Sequence, residues 1–552
     1  MIANSKHMIL SKIALTTVLF CFVTFALQRF KLCTFESDHL FLFDADWFWS
    51  HLCKVGGLNL IISSFLTQFF KFPIIGTIVA TAIYLTVLLC LKRLIFGTIW
   101  TDKTNALILI PIGFLLMCVE EPFYSFRGHT ALVICLIVSV LYQQFICRRQ
   151  KFSLAATVLC AILLYLAAGS VALLFAIIVL IIDILQKRKA TNGLAAIAVV
   201  FACGYVSYLN ESFVSFAEAT LPMQYYNWPT SGWIATCAWL SVPAVIATTK
   251  ITINQRINHI ILAVTIIVFG FVLSQMHDTK TYKMQHECYL ADNCRWDKII
   301  KLNSHNNVKT NFISYTNLAL AMQGQLLDRM FEFNQQLPTQ QNNSRTVRNE
   351  TFHLESLSYF LSGHVAEARQ AAFNSALITP GGVEPHDFLR LISINKSFGA
   401  DKVSQKYADI LDKTLFYKHK AATELADTNI TNLPQNSTFC EIDGFASDYR
   451  EIIKVNPQNT VAQQFYIAYI LLSADKQRLL SYLDDHKGEP LHRRVQEACT
   501  IMFTPEECRQ LGVNEAIIKD FEALKKGLGI NKFHQTYWYY IAYLNATLKQ
   551  KK

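Results

Sequence analysis

The sequence predicts an all-α protein in two parts: a polytopic transmembrane helix bundle over 1–275, and a soluble α-helical domain with tetratricopeptide-like repeats over 276–552. Three observations carry this reading. Hydrophobic residues make up 52% and charged residues 16% of the 552-residue chain, too apolar for an ordinary soluble protein and suited to one that is half embedded in lipid. Apolar runs long enough to cross a bilayer recur up to about Gln275 and then stop. Beyond that point Ala, Leu, Tyr and Phe return every three or four positions, which is the helical period.

At about 20 residues per crossing, the first part holds about nine spans. They are placed near Met8–Leu27, Phe72–Leu91, Ala106–Val119, Thr130–Ile146, Phe152–Leu166, Val171–Leu185, Gly193–Leu209, Trp233–Thr248 and Ile257–Ser274. The first is preceded by Lys6 and followed by Gln28, Arg29 and Phe30 rather than a small-residue cleavage site, as in an uncleaved signal anchor. The run Phe152–Gln186 is about 35 residues, or about 52 Å as one straight helix, against a hydrocarbon core of roughly 30 Å. It must fold back, and Ala167-Ala168-Gly169-Ser170 is the turn.

Basic clusters orient the bundle. Lys6 and Lys12; Lys92, Arg93 and Lys103; Arg148, Arg149 and Lys151; Lys187, Arg188 and Lys189; and Lys250 and Arg256 fall on one side, while the opposite loops carry Asp38, Asp44, Asp46, Glu120, Glu121, Glu211 and Glu218. Positive residues mark the cytoplasmic face, so the N-terminus is cytoplasmic and the 276–552 domain extracytoplasmic. The net charge of +10 sits largely in these short loops, with no basic stripe interleaved with aromatics, which excludes a nucleic-acid partner. The partner is the bilayer.

The first outer loop, 28–71, is rich in aromatic and aliphatic residues and reads as short amphipathic helices along the membrane surface, broken at Gly56-Gly57. Within it, Asp44 and Asp46 are two residues apart, a pair able to share Mg²⁺ or Mn²⁺ through oxygen ligands or to supply a general base. In the second outer loop Glu120 and Glu121 end one span while Arg127 and His129 begin the next. Arg127 suits a lipid-linked phosphate, and Glu121 or His129 suits a supporting acid–base role. The same residues also fit an interfacial pair that fixes two helix ends. In the fourth outer loop Tyr225, Tyr226 and Trp228 fit either interface anchors or a sugar-stacking platform.

Cys288 with Cys294, and Cys499 with Cys508, are close enough in sequence for local disulfides in an oxidising compartment. Asn349-Glu350-Thr351 and Asn429-Ile430-Thr431 have the form of glycan acceptors, which carries no such meaning in most bacteria. No P-loop, dinucleotide fingerprint, HExxH, paired CxxC or Gly-x-Ser-x-Gly motif is present, so ATP-driven transport and zinc hydrolysis lose support. In the tail, GHVAEARQAAFNSALITP, NPQNTVAQQFYIAYILLSADKQRLLSYL and YTNLALAMQGQLLDRMFEF have the small-residue spacing of stacked helix pairs. Such stacks form a concave surface for a protein partner.

An anchor span, a long acidic first outer loop carrying Asp44 and Asp46, a many-span bundle and an outer helical tail together resemble the C-type integral membrane glycosyltransferases. The resemblance covers about the first half of the chain. It implies a polyprenyl-phosphate-linked sugar as donor and an acidic residue of the first loop acting at the acceptor or a metal. The runs DADWFWSHLCKVGGLNLIISSFLTQFFKFPIIG, LAAGSVALLF and YTNLALAMQGQLLDRMF also resemble an uncharacterised Bacteroidota family of polytopic membrane proteins with helical-repeat tails, which implies a bacterial inner membrane and a periplasmic tail. The expected function is transfer of a sugar or related group from the lipid carrier to a periplasmic acceptor. The alternative is a non-enzymatic scaffold whose periplasmic repeats bind envelope proteins. A lipid flippase fits less well, because charged residues are scarce at the span centres.

Overall fold

The computed structural model describes residues 2–100, 105–146, 153–228, 230–250, 254–304, 313–335, 349–427, 445–527 and 533–542. Lys103, Arg148, Arg149, Lys151, the triplet beginning at Asn429, and Cys440 lie outside the described residues. Among the described residues every regular element is helical, and the one β feature is an isolated antiparallel bridge between Tyr124 and Tyr226. The chain divides into two compact units. One is Met1–Lys283 with Pro380–Val383 and Lys413–Leu415; the other is Met284–Thr379, Glu384–Asp412 and Phe416–Lys552.

The first unit is built from α1 (Ile2–Val23), α2 (Arg29–Thr34), α3 (Ala45–Leu52), α4 (Gly57–Thr67), α5 (Pro73–Phe96), α6 (Leu109–Glu120), α7 (Arg127–Leu141), α8 (Ser153–Ala168), α9 (Val171–Leu185), α10 (Thr191–Leu209), α11 (Phe216–Thr220), α12 (Trp233–Ala247) and α13 (Gln255–Met276). Helical stretches Ile9–Thr34, Pro73–Phe96, Arg127–Phe145, Thr191–Leu209 and Gln255–Met276 are long and apolar enough to cross a membrane, which marks a membrane protein. The other expected spans fall on shorter apolar helices, Ala106–Glu120, Ser153–Ala168, Val171–Leu185 and Trp233–Ala247. At about 1.5 Å per residue these reach roughly 23–24 Å, less than a full hydrocarbon core.

Local chemistry sets the helix ends. Pro73 opens α5 where its missing N–H costs nothing, and Gly97, at φ +71°, closes it in the left-handed conformation. The long apolar run folds back between α8 and α9 at Gly169, whose φ is +84°. There Gln224 Oε1 accepts the Ser170 N–H at 2.7 Å, and a Cβ on Gly169 would lie 2.3 Å from that same oxygen.

Helix α4 departs from a surface-lying loop helix. Seven of its eleven residues are buried, including Asn59, Ser63, Ser64 and Thr67, and it packs on α7 and α8. Gly56, at φ +74°, turns the chain inward and donates its N–H to Leu166 O at 2.9 Å. The unit's core is filled by Tyr84, Leu91, Ile112, Tyr142, Tyr165 and Phe175, while Leu15, Ile267 and Phe271 face outward. Apolar side chains on the outer surface are what a lipid solvent selects.

The second unit begins within α14 (Thr279–Asp292) and continues through α15 (Trp296–Ser304), α16 (Ile313–Met322), α17 (Leu326–Arg329), α18 (Asn349–Ser362), α19 (Val365–Ile378) and α20 (Pro385–Ser397). Further helices include Asp401–Asp412, Thr460–Ser473, Lys476–Asp485 and Arg493–Met502. Helices α18 and α19 pack against each other across the turn at Gly363, φ +86°. Its core gathers Tyr315, Leu318, Met330, Ile452, Leu471, Val495 and Tyr537.

Candidate functional site

The sequence-expected residues separate into different surroundings. Asp44 caps α3, accepting the Trp47 N–H at 3.3 Å, and its Oδ2 lies 3.2 Å from Lys413 Nζ. An aspartate before a helix satisfies otherwise orphaned backbone donors, which is a structural task. Asp46 is exposed in the first turn of the same helix. Among the described residues, groups of three or more metal-ligating side chains lie close together only around His353, and neither Asp44 nor Asp46 belongs to one.

His129 is fully buried. Its Nδ1 lies 3.1 Å from Tyr124 Oη and its Nε2 3.5 Å from Tyr84 Oη, with the ring stacked on Phe126. Both ring nitrogens are thus held by tyrosines inside the bundle. Glu121 accepts from the Tyr226 hydroxyl, and Glu120 meets Gln28 Nε2 at 3.2 Å and His277 Nδ1 at 3.3 Å. Tyr225 is a buried pin whose hydroxyl donates to Ala168 O at 2.6 Å at the end of α8. Trp228 remains exposed and touches Phe123 edge-on.

Arg127 finds its partners in the first loop and in its own. The second and fourth outer loops are tied together where Ser125 N donates to Tyr225 O at 2.9 Å and Asn227 N donates to Phe123 O at 2.8 Å. This places Asn227 and Arg127 around Asp38. Arg127 Nε donates to Ser125 Oγ at 3.2 Å, and its carbonyl is held by Asn59 Nδ2 at 3.0 Å. Asn59 in turn accepts from Thr130 Oγ1 at 2.7 Å, so the polar face of α4 fixes the start of α7.

Asp38 is the unusual group. Its Oδ2 is buried and has no hydrogen-bond partner, and Asn227 Oδ1 is likewise buried and unpaired. Burial pushes the Asp38 carboxyl up to about 7, against the opposing pull of Asn227, Arg127 and Lys31. Its neighbour His39 is driven the other way, down to about 3, by burial and by Arg127, His51 and Lys54. The Pro380–Val383 segment of this unit closes over both residues. A Cβ on Gly381 would sit 2.9 Å from Asp38 O and 3.0 Å from His39 Cα.

A sequence profile built for a family of unknown function, DUF6057, matches residues 5–544. The chain belongs to DUF6057. No curated protein and no solved structure matches it.

This DUF6057 chain has a second buried polar cluster, in its other unit. His353, on α18, lies with Nε2 2.7 Å from Asp292 Oδ1 and Nδ1 3.1 Å from Asp387 Oδ2. Arg390 Nη2 is 2.5 Å from Asp387 Oδ1, and Arg390 Nε donates to Ser356 Oγ at 3.0 Å. His386 Nδ1 stands 3.7 Å from Asp292 Oδ1, and Cys288 Sγ is 3.8 Å from Asp292 Oδ2. Burial lowers the His353 imidazolium, but Asp292, Cys288 and Asp387 outweigh it and hold the ring well above its ordinary value. Burial likewise raises Asp387, yet Arg390 and His353 bring it down to about 2. Glu384 caps α20 through the His386 and Asp387 N–H groups, and burial pushes it up to about 7.

The expected disulfides are not formed. Cys288, Cys294, Cys499 and Cys508 all stand as thiols, Cys294 exposed and Cys499 and Cys508 buried in the second unit's core. Nearness in sequence does not aim two Cβ–Sγ bonds at each other. Motif reading took Cys288 only as a disulfide candidate and Asp38 only as an outer-loop acid, and it did not reach His39, Asn227, Asp292, His353 or His386. The one signal for the first group was the adjacent pair Asp38-His39 inside an apolar loop, where an ionisable residue is costly unless used.

Proposed function

We propose that this protein is a membrane-embedded transferase that moves a sugar or related group from a polyprenyl-phosphate carrier to an extracytoplasmic acceptor, with Asp38 as the base and Arg127 as the phosphate-binding cation. The observation that supports it is the buried, unpartnered Oδ2 of Asp38 among Arg127 and Asn227. A carboxylate oxygen left unpaired in an apolar setting is costly, and such cost is concentrated where a substrate completes the pairing.

In this mechanism an acceptor hydroxyl binds at Asp38 Oδ2 and gives up its proton as its oxygen attacks the sugar's anomeric carbon. The bond from that carbon to the carrier phosphate breaks, and the phosphate leaves with the electron pair. Arg127 neutralises the charge that develops on the departing phosphate oxygen. A base with a pKa near 7 is well matched to proton abstraction at neutral pH. Tyr226 and Glu121 line the neighbouring loop, and Trp228 offers an exposed ring for a sugar face.

The finer topology belongs to the same reading. All nine apolar helices cross or enter the bilayer, the N-terminus is cytoplasmic, and the tail lies in the periplasm of a Bacteroidota inner membrane. There its helix pairs act as tetratricopeptide-like repeats that present an acceptor or an envelope protein. The reading is tested by comparing lipid-linked glycan pools with and without the protein, and after restoring it as wild type, Asp38→Asn or Arg127→Gln. Accumulated donor in the deletion, relieved only by wild type, supports it; an unchanged donor pool overturns it.

A further inference from the structure

We propose that the second unit holds a zinc-class divalent metal between α14, α18 and α20, bound by Cys288 Sγ, Asp292 carboxylate, His353 Nε2 and His386 Nδ1. The set is one thiolate, one carboxylate and two imidazoles. That mixture of soft and borderline donors suits Zn²⁺ over Mg²⁺ or Ca²⁺.

The geometry is close to what the ion needs. Cys288 and Asp292 are four residues apart on α14, so both project from one face of the helix. The ligand atoms of Cys288, Asp292 and His353 all lie within 4.8 Å of one another. Tetrahedral zinc, with bonds of about 2.3 Å to sulfur and about 2.0–2.1 Å to nitrogen or oxygen, sets its ligand atoms roughly 3.3–3.7 Å apart. The Cys288 Sγ–Asp292 Oδ2 and His386 Nδ1–Asp292 Oδ1 separations are 3.8 and 3.7 Å, and His386, outside that 4.8 Å group, turns inward to complete the four. The His353–Asp292 distance of 2.7 Å is that of a hydrogen bond, and it opens when the metal takes the place of the shared proton.

The surroundings complete the site. On its other nitrogen His353 faces Asp387 Oδ2 at 3.1 Å, the carboxylate–histidine arrangement that orients a ligating ring, with Arg390 Nη2 2.8 Å from the same nitrogen. Arg390 holds that carboxylate in turn and is itself steadied by donating to Ser356 Oγ. With metal bound, Zn²⁺ faces the Asp292 carboxylate and the Cys288 thiolate, while Asp387 faces Arg390. The side chains of Asp292 and His386 keep 11% and 18% exposure, which leaves an edge for entry. With four protein ligands the site is closed and structural, clamping α14 to α18 and α20.

The test uses the full-length protein purified in detergent without chelators. Elemental analysis should find about one zinc per chain, and Co²⁺ added after zinc removal should give a thiolate-to-cobalt charge-transfer band that Cys288→Ser abolishes and His386→Gln weakens. Because either variant could misfold, carboxymethylation of Cys288 is followed in wild type by mass spectrometry. Added Zn²⁺ should slow it by about tenfold or more, as expected for a coordinated thiolate. Zinc below about one-tenth per chain with no cobalt band, or labelling of Cys288 that is indifferent to Zn²⁺, overturns the proposal.

Discussion

Replacing Asp387 by Asn keeps the size of the side chain and removes one charge from the centre of the second unit. Asp387 is fully buried, with Arg390 Nη2 at 2.5 Å and His353 Nδ1 at 3.1 Å. The substitution leaves the Arg390 guanidinium, itself nearly buried, facing a neutral amide. Breaking one side of a buried ion pair costs about 3–5 kcal/mol, because the remaining charge has no compensation. At about 1.4 kcal/mol per decade, local opening of α18 and α20 becomes roughly 10²- to 4 × 10³-fold more frequent. Hydrogen exchange read by mass spectrometry on peptides from 349–362 and 385–397 in the intact protein measures this directly. Exchange should accelerate by that factor in these helices and change little in Pro73–Phe96. Acceleration of less than about threefold would refute the view that this network, rather than surrounding apolar packing, holds the helices together.

Four further outcomes follow from the first unit. Gly169→Ala should destabilise the α8–α9 hairpin by about 1–2 kcal/mol, since a Cβ is disfavoured at positive φ and here meets Gln224 Oε1; a lowered melting temperature in detergent, partly restored by Gln224→Ala, checks it. With Asp38 near 7, its ionised fraction rises about tenfold between pH 6 and pH 8, so transfer should rise by that factor and the limb should vanish in Asp38→Asn. The stability consequences of the two loop residues run in opposite directions. Raised Asp38 favours the fold while protonated and loses that contribution as pH climbs from about 4 through about 7, whereas lowered His39 favours the fold while neutral and loses it as pH falls below about 6.5. Finally, Asp44→Asn should leave transfer within about twofold of wild type and lower stability by about 0.5–2 kcal/mol as a weakened helix cap, measured by turnover and thermal melting on one preparation.

Much of the helical architecture was legible in the sequence because burial in lipid writes itself as unbroken apolar runs. A 35-residue run bracketed by basic residues has to turn, and only Ala167–Ser170 offered small residues, so Gly169 could be placed without coordinates. The inward course of α4 was not legible. Its apolar residues suggest a surface helix, and only contact with Arg127 O and Thr130 reveals why Asn59 lies on its buried face. The candidate sites were legible least. Asp44 drew notice through its spacing to Asp46, yet an aspartate just before a helix also reads as a cap, and that is the role its geometry serves. Asp38 and Asn227 come from two loops and Arg127 from the start of α7, and Cys288, Asp292, His353 and His386 come from three helices, so no local spacing announces either cluster. Long-range packing assembles them.

The most direct test of the account is the lipid-linked donor pool in cells that carry Asp38→Asn as their only copy, set beside wild type, Asp44→Asn and a deletion. The account requires Asp38→Asn to accumulate donor as the deletion does, with Asp44→Asn near wild type and all proteins present at equal levels in the membrane. A normal pool in the Asp38→Asn strain would contradict it.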